Sequence, residues 1–284
     1  MPKRKKEITK ILIIAKQNKL GLKHAKKLEK ELKPYTNDIY FDRSTALRER
    51  KRGTSVKKFD GDMIITVGGD GTLLWTAQQL EKNVPILPVK IEGHGFLCTA
   101  TFRELTDNLG KLFNKEFTIA ERMRLKCSKA KPGLIEKFLH REYPHALNEV
   151  VFARKRPSKI LDIEFEIDGV AQTFIGDGLM FSTPSGSTAY NASAGGPIID
   201  HELQVISVVP LYPFYSKIKS FILPPHKKIE VIVKNGDCSL IIDGHGGDYV
   251  KPNTAFIVEK GNPLKVVTLG KENIYEKIRK EFFE

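Results

Sequence analysis

Asp62-Met63-Ile64-Ile65-Thr66-Val67-Gly68-Gly69-Asp70-Gly71-Thr72-Leu73-Leu74 is the stretch that decides the fold. Six residues read as a buried strand, glycines follow at once, and a helical pattern begins at Thr72 and runs to Leu80. A strand that runs through glycine into a helix brings main-chain N–H groups and the positive end of the helix dipole to one point, where a phosphate can approach closely. Asp70 sets a carboxylate beside that anion site. Two roles suit it, a base that accepts a hydroxyl proton or a partner for magnesium, and a third reading makes it only a helix cap. The stretch is not a P-loop, since no G-x-x-x-x-G-K-[ST] occurs, and Gly69 to Leu74 lacks the third glycine of the dinucleotide fingerprint.

Outward from this unit, strand and helix signals alternate. Ile11 to Ala15, Asp38 to Phe41 and Val84 to Val89 read as strands, and Lys23 to Leu32 and Leu105 to Phe113 as helices. Such alternation predicts a parallel α/β sheet over residues 1–120. Beyond residue 120 the segments Ile160–Ile167, Thr173–Ile175, Leu179–Ser182, Ile206–Val209, Ile229–Val233 and Ser239–Ile242 are short, strand-like and separated by Gly, Pro and Asn. They predict a β-rich, sandwich-like domain over 121–269, followed by an amphipathic helix from Lys271 to Phe283.

The chain of 284 residues is 40% apolar, enough for one large or two small domains. No apolar run approaches the ~18 residues of a membrane span, and Ile11 to Ala15 is too short for a signal core, so no membrane partner is expected. The three cysteines, Cys98, Cys127 and Cys238, are widely spaced and form no CxxC pair, which fits a reducing cytoplasm and gives no metal site. The formal charge of +13 suits polyanionic ligands or a solvated lysine-rich surface. No nucleic-acid partner is expected, because the chain carries no zinc finger, RNP-type aromatic motif or heptad array.

Two further segments carry chemistry. Gly176-Asp177-Gly178 precedes Ser182-Thr183-Pro184-Ser185-Gly186-Ser187-Thr188-Ala189-Tyr190-Asn191-Ala192-Ser193-Ala194-Gly195-Gly196-Pro197, where almost every residue is small. Small residues with hydroxyls suit a loop that wraps a polar ligand, where a core segment would need larger apolar side chains. Leu147-Asn148-Glu149-Val150-Val151 opens a strand with an amide and a carboxylate that can read a nucleotide's edge and ribose, or that simply form a turn.

Together these segments resemble the NAD kinase family, over roughly residues 10 to 270. The resemblance rests on Gly68-Gly69-Asp70-Gly71-Thr72, on Asn148-Glu149 and on Thr183 to Tyr190 running on to Gly196-Pro197-Ile198. It implies an N-terminal α/β domain, a β-rich C-terminal domain and a final helix, 270–284, that returns to the first. It implies Asp70 as the proton acceptor for the 2′-hydroxyl of the adenosine ribose of NAD, with ATP or polyphosphate as donor and Mg²⁺ offsetting charge. Gly68, Gly69, Gly71, Thr72 and Phe96 would lie at the nucleotides, Asn148 and Glu149 would hold the dinucleotide, and Asp177 would bond it. Thr188, Ala189, Tyr190 and Ser193 would line an adenine pocket, shared with a neighbouring subunit of a homodimer or homotetramer.

Several positions depart from the family pattern. Ile175 stands where an Arg is usual, Lys90-Ile91-Glu92 replaces the usual Asn-x-Gly arrangement before Gly95-Phe96-Leu97, Phe214 follows Pro213 in place of His, and His245 follows Asp243-Gly244 in place of Gln. His94 and His245 each read either as a phosphate or ribose contact or as a plain surface histidine. The departures leave open a kinase of the same fold acting on a polyol, nucleoside or lipid head group. The charge leaves open a non-catalytic nucleotide or nucleic-acid binder.

Overall fold

A computed structural model describes residues 8–93, 95–130, 143–270 and 273–284. His94 and the basic residues of the N-terminal tail lie outside the described residues. The chain forms two compact units, residues 1–121 with 264–284, and residues 122–263.

The first unit is built on a parallel sheet. Its strands are β1 (Lys10–Ala15), β2 (Asp38–Phe41), β3 (Met63–Gly68), β4 (Ile86–Lys90), β5 (Ala100–Thr101), β6 (Thr118–Arg122) and a late strand, β18 (Leu264–Thr268). Their order is β2-β1-β3-β4-β18-β6, with β5 added on β4. β1, β3 and most of β4 are buried on both faces, which is why they read as unbroken apolar runs. One face packs Ile11, Ile13, Ile65 and Val67 against Ala25, Leu28 and Leu32 of α1 (Lys19–Leu32). The same cluster takes in Ala46 of α2 (Arg43–Arg48), Phe102 and Leu105 of α4 (Phe102–Asp107), and Leu109 and Leu112 of α5 (Leu109–Phe113). Between them in sequence, α3 (Asp70–Gln79) follows β3 directly.

Three expectations need correction here. α1 starts four residues before Lys23, because Asn18 caps it by accepting from Gly21 N–H at 2.7 Å. The single helix read over Leu105–Phe113 is two, capped at its start by the Thr101–Glu104 box and broken at Asn108, whose side chain bonds the Glu104 carbonyl. Leu264–Thr268 lies in the first sheet, beside β4, and not in the β-rich domain to which residues 121–269 were assigned.

The second unit is antiparallel. One sheet runs β10-β9-β14-β17-β7, formed by β7 (Leu125–Lys129), β9 (Leu161–Ile167), β10 (Val170–Gly176), β14 (Ile229–Asn235) and β17 (Ala255–Lys260). The other runs β13-β12-β11-β8-β15-β16, formed by β8 (Glu149–Arg154), β11 (Gly178–Ser182), β12 (Ile206–Leu211), β13 (Phe221–Leu223), β15 (Cys238–Ile242) and β16 (His245–Val250). Phe152, Phe181 and Val208 of one sheet meet Ile163, Val231 and Phe256 of the other in one core, so the unit is a sandwich. The opposite face of the second sheet is covered too. Val151, Met180, Val209 and Leu211 form a smaller cluster joined by Ala194, which explains why β11 and β12 are buried at every position. The final helix, α7 (Ile274–Phe282), is grouped with the first unit and starts on an Asn273 cap.

Candidate functional site

In the first unit the strand-to-helix stretch folds as read, with one detail that decides the role of Asp70. The helix cap is Gly69, which makes no side-chain cap bond, and Asp70 is the first residue of α3. Its carboxylate therefore does not cap the helix. It turns to the segment after β4, where Oδ2 accepts from Phe96 N–H at 2.8 Å and Oδ1 accepts from Leu97 and Cys98 N–H at 3.1 and 3.3 Å. A carboxylate offers about four lone-pair positions, so capacity remains for a further donor. Gly95 lies against it, since a Cβ there would stand 2.9 Å from Oδ1.

The glycines divide by purpose. Gly68 is required by packing, because a Cβ would fall 2.2 Å from Thr72 Oγ1. At Gly69 and Gly71 a Cβ would meet nothing within 4 Å, and neither residue has a positive φ. Nothing inside the protein asks for glycine at these two positions, and the open space over them would let a ligand approach the main chain closely.

The surrounding charge is mainly positive. Lys90 lies beside Gly95, and Lys277 of α7 donates to the carbonyls of Phe96 and Cys98. Glu92 is paired with Lys16 at 2.7 Å, a hydrogen bond that holds its carboxyl below the usual range. The Cys98 thiol is pushed far up, by burial first and by the Asp70 charge second, so it stays protonated beside that carboxylate.

In the second unit the site grows from an Asp-Gly hairpin. Asp243 and Gly244 join β15 to β16 with φ of 48° and 72°, the left-handed pair that this sequence favours. The turn buries the Asp243 side chain, whose Oδ2 accepts from Leu147 N–H at 2.8 Å and whose Oδ1 accepts from Asn148 and Glu149 N–H at 2.7 and 3.1 Å. Three consecutive N–H groups on one carboxylate fix the chain where Asn148 and Glu149 sit. Both residues are buried, and Asn148 Oδ1 and Glu149 Oε2 have no hydrogen-bond partner among the described residues. Burial, and then the Asp243 charge, push the Glu149 carboxyl up to about 8. Buried polar atoms left this way destabilise a fold by about 1–3 kcal/mol each unless something bonds them, so they point to a ligand with hydroxyl or amide groups.

The small-residue segment supports the same place from behind. Thr183 donates to the Leu147 carbonyl through Oγ1 at 2.5 Å, and its N–H donates to the Asn148 carbonyl at 2.9 Å. Gly186 must be glycine, since a Cβ would lie 2.3 Å from the Asn148 carbonyl oxygen. Ser187 and Asn191 spend their polar atoms inside the loop, Asn191 bonding the Ser187 and Pro197 carbonyls and accepting from Ser207. The hydroxyls expected to face a ligand are thus divided. Ser182, Thr183, Ser187 and Asn191 are buried structure, whereas Thr188, Ala189, Tyr190 and Ser193, on the 3₁₀ turn Ser185–Thr188 and α6 (Tyr190–Ser193), stay accessible.

Asp177 is ion-paired with Arg154 of β8 at 3.0 Å. Ile175, in the position that is usually Arg, is 41% exposed and bridges to Phe214. His245 is exposed and its Nδ1 lies 2.9 Å from the Asp243 carbonyl. Sequence reasoning passed over Asp243 and Lys277. An Asp-Gly pair after an apolar strand could have marked the hairpin, but nothing local marks what its side chain holds.

Comparison with known proteins finds matches over most of the chain. Residues 5–117 match the family model described as ATP-NAD kinase N-terminal domain, and residues 147–269 match the ATP-NAD kinase C-terminal domain. The chain is 35% identical over 227 residues to the NAD kinase of Pyrococcus furiosus, covering 78% of each protein. It is 33% identical over 276 residues to that of Thermococcus kodakarensis, covering 93% of this chain and 95% of the relative. The solved NAD kinase of Archaeoglobus fulgidus in complex with ATP is similar with a TM-score of 0.76 at 26% identity, covering 95% of this chain and 99% of that one. Yeast NADH kinase complexed with NADH shares the fold, with a TM-score of 0.85 at 20% identity over 98% of this chain and 88% of its own.

Proposed function

Because the chain belongs to the NAD kinase family, we propose that it transfers the γ-phosphoryl group of ATP to the 2′-hydroxyl of the adenosine ribose of NAD, giving NADP. The observation that carries this reading is Asp70, a carboxylate at the first residue of α3, held by three N–H groups and flanked by Gly69 and Gly71 with open space over each. The 2′-oxygen attacks the γ-phosphorus, the bond to the β-phosphate oxygen breaks, and the hydroxyl proton passes to Asp70. Positioning supplies most of the rate in such transfers.

The main chain at Gly69, Gly71 and Thr72 is suited to receive phosphate, with Lys90 offsetting charge nearby. Asn148 and Glu149 hold the dinucleotide, supported by their unpaired buried oxygens. Thr188, Ala189, Tyr190 and Ser193 contribute an accessible polar and aromatic edge. Mg²⁺ would arrive with the nucleotide, offsetting phosphate charge.

Polyphosphate is the alternative donor. A cytoplasmic setting is supported by three free, buried cysteines, and among the described residues no helix is long and apolar enough to cross a membrane. A homodimer or homotetramer is supported by the exposed aromatics Tyr212, Phe214 and Tyr215, and light scattering tests it.

The test is a coupled assay of purified protein with NAD, ATP and Mg²⁺, in which an NADP-specific dehydrogenase reports product. NADP should form, and Asp70→Asn, which still binds nucleotide, should keep only a small residual turnover. Full turnover by Asp70→Asn would overturn the role of Asp70. Absence of NADP with both donors would turn the question to another acceptor.

A further inference from the structure

The final helix lies outside both matched family segments, which end at residue 269. It nevertheless grips the segment that holds Asp70. Lys277 Nζ donates to the Phe96 carbonyl and to the Cys98 carbonyl, each at 2.9 Å. The Phe96 ring packs against the Phe282 ring, with centroids 5.8 Å apart. These contacts tie two turns of α7 to the three residues whose N–H groups bond the Asp70 carboxylate.

One peptide plane makes the connection direct. The carbonyl of Phe96 and the N–H of Leu97 belong to the same peptide unit. Its oxygen accepts from the Lys277 ammonium, and its N–H donates to Asp70 Oδ1 at 3.1 Å. The chain of contacts therefore runs from ammonium to carbonyl, through one planar amide, to carboxylate. A peptide polarised by a cation at its oxygen is a stronger donor at its nitrogen, and a plane pinned at one end is aimed at the other. The Cys98 carbonyl, pinned by the same ammonium, fixes the far end of the segment. Sequence separation hides this arrangement, because Lys277 stands 181 residues from Phe96.

We propose that α7 is a working part of the phosphoryl-transfer site, and that Lys277 is a positioning residue which aims Asp70 at the acceptor hydroxyl through the peptide between Phe96 and Leu97. The proposal rests on the reading of Asp70 as proton acceptor. It assigns function to a segment that the family models leave out. It also separates two effects, since a residue that acts only by aiming the base alters turnover and leaves substrate affinity in place.

The experiment uses the full-length enzyme and the NADP-forming assay with Lys277→Met, Lys277→Arg, Asp70→Asn and the Lys277→Met/Asp70→Asn double variant. Melting temperatures accompany each. Lys277→Met should lower kcat about 30-fold or more, part of the roughly 10²–10⁴-fold that a general base contributes, with the KM for NAD and for ATP changed by no more than about twofold. Lys277→Arg should recover most of the loss, since it restores a cation and donors at the same carbonyls. In the Asp70→Asn background Lys277→Met should cause no further loss, the non-additivity of residues acting as one unit. If Lys277→Met is too unstable to assay, Phe282→Ala loosens the same segment from the other side and should show the same split between kcat and KM. Unchanged kcat in Lys277→Met or Phe282→Ala, or a loss that Arg does not restore, overturns the proposal while Asp70→Asn stays inactive. An active Asp70→Asn overturns the underlying reading instead.

Discussion

Glu149 gives the most quantitative consequence of the structure, because its buried carboxyl is raised from an ordinary 4.5 to about 8. The folded state then keeps a proton that the unfolded chain releases above about pH 4.5. Folded protein binds more protons than unfolded across that interval, so stability falls as pH rises from about 4.5 to about 8 and is level beyond it. One pKa unit corresponds to 1.36 kcal/mol, and the contribution lost between about pH 5 and pH 9 comes to about 4 kcal/mol. Glu149→Gln removes this titration and keeps the size and polarity of the side chain. The variant should therefore gain on the wild type as pH rises, matching it most nearly at about pH 5 and exceeding it by several kcal/mol at about pH 9. The measurement is the urea midpoint at a series of pH values. It must be read by circular dichroism or by amide exchange in β8, since the single tryptophan, Trp75, lies on α3 in the other unit. Parallel pH profiles for wild type and variant, differing by less than about 1 kcal/mol across the range, would show that Glu149 is ionised in the folded protein and would refute the account of its burial.

Gly95→Ala places a methyl 2.9 Å from Oδ1 of the Asp70 carboxylate, which three N–H groups hold in place; kcat should fall about tenfold or more with little change in melting temperature, because the base and not the core is displaced. Asp243→Ala leaves three buried N–H groups without their acceptor and puts Ala at a φ of 48°, so the second unit should lose about 3 kcal/mol or more and the KM for NAD should rise. Asp243→Asn, which tolerates that φ and keeps one acceptor oxygen, should fall between Ala and wild type in both measurements.

The parts of the site that were legible in the sequence are the ones made by neighbours in the chain. β3, Gly68, Gly69 and the start of α3 are contiguous, so periodicity and glycine placement suffice to read them. The Asp70 partners are not contiguous, standing 26 to 28 residues away on a segment whose main chain, and not its side chains, makes the bonds. Any residue but proline at positions 96 to 98 would offer the same N–H groups, so no particular residue type signals them. The late start given to α1 has a similar cause. Gly21 lies inside the helix, and it is glycine because a Cβ there would stand 2.2 Å from the Lys16 carbonyl oxygen, a packing reason that sequence alone does not show. β18 looks like its antiparallel neighbours in composition, and only tertiary pairing with β4 reveals its sheet.

The two units solve the same physical problem by the same device, used in opposite senses. In each, one aspartate carboxylate gathers the N–H groups of three successive residues, Phe96 to Cys98 on Asp70 and Leu147 to Glu149 on Asp243. Charge-assisted bonds of this kind are about twice as strong as neutral ones, and three together leave a segment little freedom. In the first unit the carboxylate is the proposed reacting group and the segment is its holder, so partial exposure of Asp70 suits that role and a second clamp, Lys277, bears on the segment. In the second the segment carries the proposed binding side chains and the carboxylate is the holder, so Asp243 is buried at 3% exposure in a tight turn, where its charge adds to burial in raising the Glu149 carboxyl. The difference in exposure between two equivalent carboxylates therefore follows from which partner must reach the substrate. It also fixes what each substitution should do: at Asp70 turnover is lost and the fold kept, and at Asp243 the fold and dinucleotide affinity are weakened together.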